Sequence, residues 1–138
     1  MGRGTWMGRL NPINESGKGG EDKFQELLDY HNIPYKRAKT GQSAIDFIIN
    51  PNGQKQLIKY VDIKNQNVGG SVVEKIPHTI WKYKRLYDYE EVYIVEGEYD
   101  IDKNVREHCS EICKTHFVKL DEMVNILLNV PLYKNDFF

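Results

Sequence analysis

Residues 43–64 constrain this chain more than any other stretch. Ser43 to Asn50 (Ser-Ala-Ile-Asp-Phe-Ile-Ile-Asn) reads as a strand, and Pro51-Asn52-Gly53 is a turn signal after it. Gln56 to Lys64 then reads as a second strand, paired antiparallel with the first. Its apolar residues lie on both faces, with Leu57, Val61 and Ile63 on one side and Ile58 and Tyr60 on the other. A strand that is apolar on both faces is covered on both faces, so this one is predicted to be central in its sheet.

The neighbouring segments supply the cover. A helical period begins at Glu21, with Phe24, Leu27, Leu28 and Tyr30 on one side, and runs to about Asn32, where Pro34 blocks its continuation. Tyr35 to Lys39 is a weakly patterned strand. After Gly69-Gly70 a helix is predicted up to about Tyr87, starting either at the capping-box spacing of Ser71 and Glu74 or later, at Pro77. Glu91 to Glu96 is a strand, Asp102 to about Thr115 a helix, His116 to Lys119 a short edge piece, and Asp121 to Leu128 a final helix. Residues 1–20, rich in Gly, Asn and Arg, read as a loose arm, and residues 21–138 as one domain. The expected class is α/β, an α-β-β-β-α-β core with a central mixed sheet flanked by helices.

Charge is balanced, with 19 Lys and Arg against 20 Asp and Glu, so the total by itself points to no polyanion. Its distribution is uneven: Lys75, Lys82, Lys84 and Arg85 crowd one stretch and an acidic segment follows. No apolar run reaches the ~20 residues that span a bilayer. The N-terminus has no signal-peptide pattern, and the two cysteines form no disulfide framework. An intracellular, cytoplasmic protein with no membrane partner is expected, with nucleoid or viral-DNA association also open.

The chemistry lies where charge interrupts the apolar strands. Asp46 is flanked by Ile45 and Phe47, and Asp62 by Val61 and Ile63. A carboxylate in such surroundings is costly unless paired or holding a metal. The predicted hairpin makes the two aspartates neighbours, and a divalent cation relieves the repulsion between them. Hard oxygen ligands suit Mg²⁺ or Mn²⁺. Lys64, two residues beyond Asp62, projects from the same face and can stabilise charge on a phosphate or help activate a water. Glu21 shares a helix face with Phe24 and Leu28, whereas Glu26 points away, which makes Glu21 the better third carboxylate. Gly17, Gly19 and Gly20 before it would allow close approach to a phosphate.

This order of residues resembles the PD-(D/E)XK nuclease superfamily, which includes restriction endonucleases, Holliday-junction resolvases and some homing endonucleases. The resemblance spans roughly residues 17–97, and Gly-Lys-Gly-Gly-Glu21 is similar to the start of archaeal-type junction resolvases. It implies a restriction-endonuclease-like core in which Asp46 and Asp62 bind the metal with the Ile63 carbonyl, and Lys64 is the catalytic lysine. Glu21 would complete the site directly or through water. Gln66 resembles a glutamine that several branches place two residues after the lysine. Ile45 departs from the family's proline, and Asp62 is the less common acid.

The implied activity is Mg²⁺-dependent DNA endonuclease, leaving 5′-phosphate and 3′-hydroxyl ends. A homodimer is expected, because cutting both strands with so small a domain takes two copies. A minimal domain fits a structure-selective enzyme such as a junction resolvase, acting on duplex or branched DNA. A compact sequence-specific restriction or homing enzyme, a non-catalytic nucleic-acid-binding subunit and an RNA nuclease stand as alternatives. Ser71, Lys75, His78, Lys82, Lys84 and Arg85 are candidate nucleic-acid contacts, with a solvated helix face as the competing reading. One of Trp81 and Tyr83 is expected in the core. Trp6 with Arg3 and Arg9 is a candidate DNA-touching arm, with a disordered segment as the equal competing reading. His108, Cys109, Cys113 and His116 match no zinc spacing, and the cysteines read as small core residues.

Overall fold

The computed structural model describes residues 18–39, 44–64, 75–97 and 100–132. The candidate arm with Arg3, Trp6 and Arg9, together with Gln66, the Gly69-Gly70 loop, Ser71 and Glu74, lies outside the described residues.

In chain order the elements are α1 (Lys18–Tyr30), β1 (Tyr35–Arg37), β2 (Phe47–Ile49), a 3₁₀ turn (Lys55–Leu57), β3 (Lys59–Lys64), α2 (Ile76–Tyr87), β4 (Glu91–Glu96), α3 (Lys103–Ile112), β5 (Lys114–Val118) and α4 (Leu120–Leu128). The strands form one five-stranded mixed sheet in the order β1-β2-β3-β4-β5. β1, β2 and β3 pair antiparallel, whereas β3, β4 and β5 run parallel. β3 is therefore the middle strand, as its two apolar faces require, and the place where the sheet changes sense. The fold class is α/β with helices on both faces of the sheet.

Two apolar layers hold it together. Phe24, Leu28, Phe47, Val61, Ile63 and Val95 join Met123, Val124 and Leu127 between the sheet and the pair α1 and α4. Ile76, Ile80 and Tyr83 of α2 and Cys109 of α3 cover the opposite face, against Val92 and Ile94. Both crossover helices lie on this second face, because parallel connections of one hand return to the same side. Cys109 and Cys113 are free, buried core residues as expected. Among the described residues no helix is long and apolar enough to cross a membrane.

Several boundaries differ from the sequence reading. α1 starts at Lys18, so Gly19 and Gly20 lie in its first turn instead of forming a loop that approaches a ligand. Its C-terminus closes with Asn32 in the left-handed region (φ 56°), Asn32 N–H donating to the Asp29 carbonyl and Ile33 N–H to that of Leu28. This is a Schellman closure, with Ile33 packed into the same core as Leu28. Tyr30 is exposed rather than on the apolar side.

β1 ends at Arg37, short of Lys39. The strand expected over Ser43–Asn50 narrows to Phe47–Ile49, and the one expected from Gln56 starts at Lys59. Leu57 therefore belongs to a turn. That connection is a folded loop instead of a tight hairpin: Asn50 adopts φ 59°, Gly53 N–H donates to its carbonyl at 3.0 Å, and its Nδ2 donates to the Leu57 carbonyl at 3.2 Å.

α2 begins at Ile76, the later of the two starts, with Pro77 in its first turn and Asp88 (φ 57°) closing it. Asp102 caps α3 by accepting from Asn104 N–H at 2.9 Å. α3 ends at Ile112, before Thr115, and the edge strand starts at Lys114, two residues ahead of His116. α4 starts one residue before Asp121, at Leu120.

The Phe24 ring meets the Phe47 ring edge-on at 4.9 Å, and both side chains are fully buried. Phe24→Ala is expected to lower the unfolding free energy by about 3–5 kcal/mol, because the site can collapse only partly. Urea denaturation followed by circular dichroism would read this as a lower midpoint at unchanged slope.

Candidate metal and phosphate site at the end of the central strand

Continuing the β2–β3 register by one residue beyond Phe47↔Val61 sets Asp46 across from Asp62. Asp46 itself stands just before β2, not inside it. Its side chain is the reason: Asp46 Oδ2 accepts the Ile63 N–H at 2.8 Å, so a carboxylate replaces the next rung of the ladder. Its own carbonyl still accepts from Ala38 N–H at 2.9 Å, which keeps β1 in line. N–H and C=O of one strand residue project to the same edge, so the Ile63 carbonyl also faces this break.

Asp62 is only 1% exposed. Tyr83, on the inner face of α2, donates its hydroxyl to Asp62 Oδ1 at 3.2 Å. Of Trp81 and Tyr83 it is therefore Tyr83 that enters the core, while Trp81 stays outside. The Lys64 ammonium is 2.8 Å from Asp62 Oδ2, an ion pair by distance. The approach lacks hydrogen-bond alignment, and Oδ2 is a buried acceptor without an aligned donor. The charge contact governs, since Coulomb attraction needs no alignment, but an oxygen lone pair is left over.

Burial, first, and then the charge and hydrogen bonding of Asp62 push the Asp46 carboxyl up to about 8, against the smaller opposing effect of the Ile63 N–H. Burial pulls the Lys64 ammonium down, but Asp62, Asp46 and Glu21 more than reverse this, leaving its pKa above the ordinary value. Burial and the same two aspartates push the Tyr83 phenol far up, so it stays a donor.

Glu21 stands at the start of α1, at the same end of the sheet. Its field reaches both Asp46 and Lys64, but its carboxylate is held by Arg37 of β1 at 3.2 Å. Arg37 also binds Gln25 (2.6 Å) and Asp22 (2.9 Å). Glu26 is exposed, which makes Glu21 the helix carboxylate near the pair. Among the described residues, no three His, Cys, Asp or Glu side chains gather closely enough to form a metal cage. The structure thus brings Asp46, Asp62, Lys64 and the Ile63 backbone together and leaves Glu21 at one remove.

The donor set suits a small hard dication. Two carboxylates from adjacent strands repel each other, and one of them keeps a buried oxygen with an unused lone pair. Mg²⁺ characteristically takes one or two carboxylates and retains several waters, so a full protein cage is not required.

Tyr83 was not among the residues singled out for the site. Its position seven residues into a helix that follows the aspartate strand was visible, but only packing reveals which aromatic turns inward. The candidate phosphate contacts divide as well: Lys75, His78 and Arg85 are exposed on α2, Lys82 and Lys84 are half-buried, and Lys84 pairs with Asp88 at 3.4 Å. No protein-family model, curated protein or solved structure matches the chain.

Two outcomes follow from this geometry. The folded protein holds the Asp46 proton up to about pH 8, whereas the unfolded chain releases it near pH ~4. The stabilisation is complete below the unfolded value and disappears as pH rises through the folded one. Melting temperatures of the metal-free protein should therefore fall between pH 5 and 8 relative to those of Asp46→Asn. Added Mg²⁺ should raise the wild-type melting temperature more at pH 8 than at pH 5. Tyr83→Phe removes the donor to a buried carboxylate oxygen and should cost about 1.5–3 kcal/mol in urea denaturation.

Proposed function

We propose that this chain is a divalent-metal-dependent DNA endonuclease with a restriction-endonuclease-like core of the PD-(D/E)XK type. The observation that carries the reading is the convergence at the break between β2 and β3. Asp46 and Asp62 face each other there, with Lys64 beside them and an unused buried lone pair on Asp62 Oδ2. The position agrees with it, because the pair lies toward the carboxyl end of the strand at which the sheet passes from antiparallel to parallel pairing. β3 is that strand here.

Asp46, Asp62 and the Ile63 carbonyl would hold Mg²⁺ or Mn²⁺, with Glu21 acting through water. Bound there, the ion would polarise the scissile phosphate and lower the pKa of a water. The residues of the chain prepare the rest. Asp46 gives up its proton to become a ligand. Tyr83 fixes the rotation of the Asp62 carboxylate, which sets the buried Oδ2 against Lys64. Lys64, whose pKa is raised, remains an ammonium near neutral pH. It would therefore orient the water and stabilise the growing phosphate charge. Water would attack phosphorus as its proton passes to solvent, the P–O3′ bond would break, and the departing 3′ oxygen would take a proton from a second water. The products carry 5′-phosphate and 3′-hydroxyl ends.

Lys75, His78 and Arg85 on the exposed side of α2 would meet the phosphate backbone, and Ser71, Lys82, Lys84 and Gln66 are the further candidates. Two copies would cut both strands, which makes a homodimer the expected assembly, and a branched, junction-like DNA the expected substrate.

Incubation with supercoiled plasmid, linear duplex, single strands and a four-way junction, with Mg²⁺ or Mn²⁺, tests this. Wild type should cleave, and EDTA or Asp62→Ala should abolish cleavage. Lys64→Ala should slow it by about a hundredfold or more while DNA still binds. DNA binding unaffected by chelator, with no cleavage under any ion, would replace the nuclease with a binding subunit of the same fold.

A further inference from the structure

The inner face of α2 serves Asp62, but its outer face has a composition that core packing does not explain. From Ile76 to Tyr87 the helix contains no Asp or Glu. His78, Trp81 and Arg85 follow one another at helical spacing along the outside. Trp81 is 46% exposed. Its ring is stacked near-parallel with His78 at 5.8 Å and 16°, and the Arg85 guanidinium lies over it at 5.5 Å. Among the described residues no carboxylate pairs with Arg85, Lys75 or His78. The half-exposed indole is thus flanked by two planar nitrogen groups, in a stretch whose fixed charges are all positive.

We propose that this face is a stacking platform for unpaired DNA bases, with Trp81 at its centre and Lys75 and Arg85 following the phosphates. The charge selects a polyanion, and the aromatic stripe narrows that to one carrying flat rings. In a duplex the π-faces of the bases are covered by their neighbours, so an indole finds a free face only where bases are unpaired. The substrate accordingly carries single-stranded or junction nucleotides beside the bond that is cut. Tyr83 and Trp81 project from opposite sides of one helix, so the platform stands about a helix diameter, ~10 Å, from the carboxylate pair. The inference deepens the nuclease reading, yet the binding it describes needs no cleavage.

The test uses the full-length chain with Trp6→Phe, leaving Trp81 as the sole tryptophan, in EDTA so that nothing is cut. Oligo(dT) and a matched duplex are titrated separately against Trp81 fluorescence. Oligo(dT) should quench it and bind at least about tenfold more tightly than the duplex. Trp81→Ala, followed by polarisation of labelled oligonucleotide, should lose about tenfold for oligo(dT) and nothing for duplex, while Trp81→Phe keeps most of the affinity. Equal affinity for both DNAs, oligo(dT) binding untouched by Trp81→Ala, or equal quenching by poly-glutamate would each overturn the platform. Stacking without any Mg²⁺-dependent cleavage would uphold the platform and remove the nuclease. Cleavage with Trp81→Ala indifferent to single strands would do the reverse.

Discussion

Two carboxylates facing each other at the end of a buried strand pair set the terms for this structure. Asp62 lies in the central strand with almost no access to solvent, and Asp46 faces it from the neighbouring strand. Burial first, and then repulsion between the two, raises the proton affinity of Asp46. Every polar group around them reads as an answer to that cost. The Ile63 N–H goes to Asp46 instead of to a ladder partner, Tyr83 reaches in from α2, and Lys64 folds back over the carboxylate it follows. The compensation is incomplete at one atom, Asp62 Oδ2. A buried acceptor left without an aligned donor is costly in a merely structural ion pair.

A second buried carboxylate shows the contrast. Glu96 ends β4 in register with Lys64 and is equally removed from solvent. Arg106 binds one of its oxygens, and Lys119 lies 3.4 Å from the other. Lys119 also reaches Asp100 at 2.9 Å and the Gly97 carbonyl at 2.9 Å. This cluster ties β4, α3 and the entry to α4 together and sets one cation against each oxygen of Glu96. Two acidic groups at one end of the same sheet thus have different fates, decided by how many cations packing delivers to each.

Much of this was legible in the residues. The doubly apolar β3 announced a central strand, and the flanking of Asp46 and Asp62 by Ile, Phe and Val marked both as anomalous. Glu21 was separable from Glu26 by helical phase alone. The reading failed where side chains replace backbone partners. Nothing local shows that Asp46 will take the Ile63 N–H and end its own strand, or that Asn50 and residues 55–57 will turn an expected tight hairpin into a folded loop. Nor does spacing show that Arg37, on a short outer strand, will hold Glu21 back from the pair.

Periodicity and local chemistry determined the order of elements, the central position of β3 and the identity of the two misplaced carboxylates. These follow from residue type and spacing, because burial alternates with a period of two in strands and near 3.6 in helices. Tertiary structure decided which aromatic of α2 turns inward to Asp62 and which stands outside, and which carboxylate is fully paired. Those outcomes depend on contacts between residues far apart in the chain, such as Tyr83 with Asp62 and Lys119 with Glu96. Local sequence does not encode such distances until the sheet has brought its ends together.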